Sequence, residues 1–173
     1  MVVTALVASL VLPLAFAVAA ESSAAPKSAR PCPVTLPEKG PVPKEVARFG
    51  GAEFDYGNAN LRVILWPHGT LIAGRLPDGG SMATINRDGS ISAKLAWWRG
   101  ESAKLVGRKL VVTGRRLDAP ATRLRTDVPD GYGSLGVQPT GPIFPTVGCW
   151  RVTGKQGPVS LTFVVNVTKV KPG

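Results

Sequence analysis

From residue 60 onward, apolar and polar side chains alternate in short runs, the period-2 pattern of strands with one buried face. The last run is the most regular: Val159, Leu161, Phe163, Val165 and Val167 share one side. In Ile91–Trp98 the residues Ile91, Ala93, Leu95 and Trp97 face one way, and Ser92, Lys94, Ala96 and Trp98 the other. Further strands are predicted at 61–66, 70–73, 81–85, 109–113 with an extension to Arg116, and 149–153. Pro67-His68-Gly69 turns the first of these into a return strand, Asp78-Gly79-Gly80 and Asp88-Gly89 mark two more turns, and Gly154–Pro158 closes a final hairpin. A sustained helical period is missing. Short strands punctuated by Gly, Pro and Asp predict an all-β fold, an antiparallel sandwich. One stretch breaks the rhythm. Pro129–Gly148 holds five glycines and four prolines and reads as a long irregular loop, either functional or crossing between sheets.

The N-terminus has a different character. Met1–Ala20 is uncharged, is interrupted by Pro13 and ends in the small residues Ala17-Val18-Ala19, as a secretory signal helix does. It lacks the usual opening Lys or Arg, and about 20 apolar residues would also serve as an uncleaved membrane anchor. Pro13 and the small-residue end favour cleavage. Residues 21–48, with prolines at 26, 31, 33, 37, 41 and 43, read as an extended or disordered linker. Residues 49–173 are left as the folded domain, secreted or held in the cell envelope.

Two cysteines exist, Cys32 and Cys149, and an exported protein is expected to join them as a disulfide. The formal charge is +10 and lies mostly in the second half. Residues 104–173 carry eleven Lys/Arg against three Asp, a net +8. Such a bias suits an anionic partner, a cell-wall polymer or a lipid surface, or serves solubility alone. Nucleic acid is disfavoured, because no aromatic-rich recognition motif accompanies the charge.

The segments Gly114-Arg-Arg-Leu-Asp-Ala-Pro120, Asp130-Gly-Tyr-Gly133, Phe144-Pro-Thr-Val-Gly-Cys-Trp-Arg-Val-Thr-Gly154 and Ser160-Leu-Thr-Phe-Val164 resemble a family of exported bacterial proteins of unknown function. The resemblance covers Gly100–Val167 and implies export without implying an activity. More loosely, the ending is similar to the last hairpin of immunoglobulin-like sandwiches, which implies that architecture here. It departs from them in having Val147 where those domains often place Tyr, and in having its first cysteine in a Pro-rich tail. Alternation puts Trp150 and Val152 in the core and Cys149 on the opposite side with Arg151 and Thr153. The disulfide is therefore expected to clip the tail across an outer face.

Chemistry is sparse. One histidine, His68, and a cysteine pair taken up by a disulfide argue against a zinc site, and Asp127 and Asp130 lack the spacing of a calcium loop. Neither a marked nucleophile nor a phosphate-cradling loop is present, so no catalytic residue, metal or cofactor is assigned. The candidate ligand-binding residues are Trp98 with Lys94 and Arg99, a ring flanked by cations, extended by Arg115 and Arg116. Trp98 packed under a second layer is the competing reading. The sequence favours a non-catalytic surface-binding domain over an envelope hydrolase or transferase with its site in 129–148, and over a structural subunit docked on an envelope protein.

Overall fold

The computed structural model describes residues 31–38, 42–48 and 53–170; the signal-helix expectation for 1–20 lies outside them. The alternating runs become strands β1 (Asp55–Gly57), β2 (Leu61–Ile64), β3 (Thr70–Ala73), β4 (Ala83–Ile85), β5 (Ile91–Ala93), β6 (Leu95–Arg99), β7 (Leu110–Arg116), β8 (Arg125–Asp127), β9 (Gly136–Phe144), β10 (Gly148–Gln156) and β11 (Val159–Lys169). They form one open sheet in the order β1-β2-β6-β9-β5-β4-β3-β11-β10-β7, with β8 on the side of β9. The fold is all-β, as predicted. It is mixed rather than purely antiparallel, because β3 runs parallel to both β11 and β4.

That difference traces to the turn after β2. Pro67–Gly69 is a short 3-10 turn with His68 at φ 53° and Gly69 at φ 64°. The turn does not make a hairpin. It sends the chain across the core, so that Thr70–Ala73 pairs with Asn166–Lys169.

The sheet doubles over into a sandwich-like arrangement around one aromatic chain. Trp150 meets Phe144 at 5.7 Å between ring centroids, Phe144 meets Trp66 at 6.2 Å, Trp66 meets Phe163 at 6.5 Å, and Phe163 meets Trp97 at 6.0 Å. Trp150 and Val152 are fully buried, as alternation predicts. Tilted and edge-on ring pairs at these distances add about 0.5–1.5 kcal/mol each beyond area burial. Leu124 brings the far ends of the sheet together, its N–H donating to Gly114 O at 3.1 Å between β7 and the approach to β8. One bond is not a ladder, and the sheet stays open.

Two segments differ from expectation. β9 lies inside the predicted irregular stretch. It pairs with β6 from Leu95↔Thr140 to Arg99↔Gly136 and with β5 at Ile91↔Phe144 and Ser92↔Ile143, all in one register. The ladder skips Ala93 and Lys94 opposite Pro142 and Gly141, where proline has no N–H to contribute. This gap divides the predicted Ile91–Trp98 strand in two. The supposed linker also folds in part: Lys44–Arg48 is a helical turn, α1, with Val46 buried. Thr35 lies against β11, where its N–H donates to Val164 O at 2.9 Å and Val164 N–H donates to Thr35 Oγ1 at 2.9 Å, and Glu38 N–H donates to Asp55 O of β1 at 2.9 Å.

Cys32 and Cys149 are bonded, closing a separation of 117 residues. Cys149 is on the outer side of β10 with Arg151, and the tail covers it down to 4% exposure.

Gly154 of β10 sits directly under the Trp97 ring, where an added Cβ would lie 2.5 Å from ring carbons. Neither ring nor strand has room to yield, because Trp97 is itself 1% exposed. Gly154→Ala is expected to destabilise the fold by about 1–3 kcal/mol, the range for overpacking a core. Urea unfolding with an unchanged m-value would measure it, and a variant of wild-type stability would refute the packing account.

Candidate anion-binding face

The structure does not bring the predicted cluster of Trp98, Lys94 and Arg99 together. Trp98 is half-buried, paired with Arg62 and Val137 across neighbouring strands, and shares a small cavity with Val46 of α1. The groove on its open side, about 420 Å³, is also lined by Glu45 and Glu101, and the one cation in that lining is the buried Arg99. Lys94 is exposed at the ladder gap. Arg99 points to the opposite side of β6 and is 1% exposed.

Arg99 is a structural cation. Its Nε donates to Gly136 O at 3.1 Å, Nη1 to Gly133 O at 2.8 Å, and Nη2 to the carbonyls of Tyr132 (2.8 Å), Leu135 (3.0 Å) and Val137 (3.4 Å). The remaining carbonyl of the run, Ser134 O, accepts from Gln156 Nε2 at 2.6 Å. That amide also donates to Leu105 O (3.1 Å) and Arg108 O (3.0 Å). Reversing it would set oxygen against oxygens. Gln138 Nε2 holds Pro129 O at 3.0 Å. Six consecutive carbonyls, 132–137, are thus held by buried side chains. Burial draws the Arg99 pKa below its ordinary value. The ordinary value is so high that the group stays charged, and the carbonyl dipoles take the place of a counter-ion.

Arg116 is not free either. Its Nε donates to Asp118 Oδ1 at 2.7 Å and Nη2 to Oδ2 at 3.3 Å, a bidentate pair, while Nη1 reaches Thr146 Oγ1 at 3.2 Å. The Arg116 hydrogen bond leads the causes that hold the Asp118 carboxyl below its ordinary pKa.

Arg115, one residue earlier, faces the other way. In the β7–β10 ladder it stands directly opposite Arg151. Arg123, from the segment leading to β8, joins them around a shallow groove of about 200 Å³ with Thr113, Gly114 and Thr153. All three arginines are exposed, and none makes an ion pair among the described residues. Thr113 is opposite Thr153, whose Oγ1 is 2.8 Å from Thr162 Oγ1, so a row of hydroxyls adjoins the guanidinium groups. Like charges directly opposite in a sheet are destabilising. An anion seated between them would remove that penalty, and planar guanidinium forks match carboxylate and phosphate oxygens.

Sequence reasoning found Arg115, placed Arg123 only within a longer run of basic residues, and missed Arg151. The signal for Arg151 was its alternation with Thr153, but its partner becomes visible only once β7 is known to lie beside β10. The 129–148 segment holds a cavity of about 330 Å³ whose lining contains a single carboxylate, Asp130. Lys109 Nζ is 3.0 Å from it. His68 does not line it. Among the described residues no three His, Cys, Asp or Glu side chains cluster as metal ligands would. No protein-family model matches the chain, and no curated protein matches it.

Two outcomes follow from these contacts. Arg99→Met leaves the 132–137 carbonyls without their donor, and is expected to cost about 2–4 kcal/mol and to speed amide exchange in that loop. Unchanged exchange there would refute the role assigned to Arg99. Asp118 has a depressed folded pKa, so its contribution to stability is present above the unfolded value of about 3.9 and is lost as pH falls through the folded value. Asp118→Asn should therefore lower stability at neutral pH and converge with wild type in strong acid. Parallel stability–pH curves for the two proteins would count against the pair.

Proposed function

We propose that this chain is a non-catalytic, extracytoplasmic binding domain that holds an anionic ligand on the face formed by Arg115, Arg123 and Arg151. The observation that carries the reading is the convergence of three exposed guanidinium groups, two of them directly opposite in the ladder, without a carboxylate among the described residues lining their groove. The net +8 of residues 104–173 adds a long-range attraction that guides an anionic surface to the same half of the chain. The disulfide supports an oxidising compartment, where such bonds persist. The resemblance of Gly100–Val167 to exported bacterial proteins points the same way. The ligand classes that fit are an anionic cell-wall polymer and an anionic lipid surface. Both present repeated phosphate or carboxylate groups to a shallow, open groove.

The test is retention of the full chain on isolated cell wall, on anionic and neutral vesicles and on DNA, across a salt series. Retention on wall or anionic vesicles should fall steeply as salt rises. Arg115→Ala, Arg151→Ala and Arg123→Ala should each weaken it several-fold and flatten the salt dependence. Lys94→Ala and the ion-paired Arg116→Ala should leave it near the wild-type level. Absence of retention at low salt, or wild-type retention by the triple arginine variant, would overturn the reading.

A further inference from the structure

The cavity beside the 128–133 segment shares no lining residue with the arginine face. It opens at the start of β7 and is bounded by Lys109, Tyr132 and Gln138 as well as by Arg99. Its charge is unbalanced. The Lys109 ammonium is matched by Asp130, 3.0 Å away, but the Arg99 guanidinium behind the wall has only carbonyl dipoles around it. A cation buried to 1% exposure lies in a low-dielectric setting, where its field is less screened than that of a surface lysine. The backbone adds donors. Gly131, Tyr132 and Gly133 line the cavity, and their N–H groups donate to no acceptor among the described residues. An acceptor-rich, negatively charged group suits that wall.

The opposite character is also present. Tyr132 is 49% exposed, a large aromatic ring left at the surface, and Leu110, Val128 and Pro129 supply apolar surface beside it. Such a ring takes the C–H face of a sugar while its hydroxyl remains wet. The loop carrying these groups is held in shape before any ligand arrives, since Arg99, Gln138 and Gln156 fix the carbonyls of residue 129 and of 132–137. Prior ordering of this kind lowers the entropy cost of binding.

We infer that this cavity binds a single sugar unit bearing a carboxylate or a phosphate, with the ring on Tyr132 and the acidic group toward the Arg99 side of the wall. Amide spectra of the full-length chain titrated with galacturonate, glucose 6-phosphate, galactose and inorganic phosphate test it. Galacturonate, glucose 6-phosphate or both should shift the Gly131 and Gly133 signals in a saturable manner, at least tenfold more tightly than galactose. A response to one charged sugar alone identifies which acid the site takes. Tyr132→Ala, at an exposed position, should weaken that binding at least tenfold, whereas Arg115→Ala with Arg151→Ala should leave it unchanged. The last comparison separates this site from the arginine face, so either can fail alone. The inference is overturned if no probe shifts these amides, if galactose binds as well as the charged sugars, or if Tyr132→Ala has no effect.

Discussion

The arrangement of one whole end of the molecule depends on a single buried guanidinium. Arg99 ends β6 on the core side, where alternation would place an apolar residue, and it has no carboxylate partner among the described residues. Desolvating a charge is unfavourable unless hydrogen bonds compensate it, and here five carbonyl oxygens accept from its three nitrogens. The reverse dependence is as strong. Residues 132–135 form a loop whose carbonyls are satisfied because Arg99 and Gln156 reach them. Charge and loop each remove the other's penalty. Gln156, at the end of β10, ties the same loop to residues 105 and 108. Strand ends from two distant parts of the ladder therefore converge on one loop, and its shape follows from the sheet.

Elsewhere the opposite balance holds. Arg62 is matched by Asp55 at 2.6 Å under α1, and Arg116 by Asp118, so cations near the core have carboxylates. Arg115, Arg123 and Arg151 stand in water, where repulsion between them is weakened by the high dielectric and by salt. The fold tolerates their proximity because they are exposed. It is the same exposure that leaves them available to an anion. The two charged features thus differ in kind: Arg99 acts by shaping backbone, and the arginine trio by contact.

Much of the strand content was legible from alternation, because burial on one face imposes a period of two whatever the topology. Val159–Val167, Cys149–Thr153 and Lys109–Arg116 were all visible, and so was the placement of Trp150 and Val152. What alternation cannot encode is which strand lies beside which. The opposition of Arg115 and Arg151, and the parallel pairing of β3 with β11, depend on partners far away in sequence. β9 was hidden for another reason: Pro139, Gly141 and Pro142 mark a breaker locally, and the skipped rungs opposite Ala93 and Lys94 are what make Pro142 and Gly141 compatible with a strand. Arg99 misled for a third. Read by type, it suggested a ligand-binding cation beside Trp98, whereas its parity with Leu95 and Trp97 already assigned it to the core face.

The N-terminal tail shows why a Pro-rich segment can belong to a domain. β3 reaches only Asn166–Lys169 of β11, leaving the N-terminal part of that side of β11 unpaired. An open edge is a template for association with other chains. Thr35 covers it with two hydrogen bonds to Val164, a short contact that prolines on either side would not maintain by themselves. The Cys32–Cys149 bond supplies what the ladder lacks. In the chain-entropy view, closing a loop of 117 residues stabilises the fold by about 4–5 kcal/mol. Locally it does something more specific, since Cys149 lies on the outer side of β10 while Val164 lies on the neighbouring strand. The bond holds Cys32 close in sequence to Thr35, so the edge stays covered even though the tail itself has little helix or ladder to offer. Reduction would release the covering segment before it disturbed the aromatic core, because none of Trp66, Phe144, Phe163, Trp97 and Trp150 takes part in holding it.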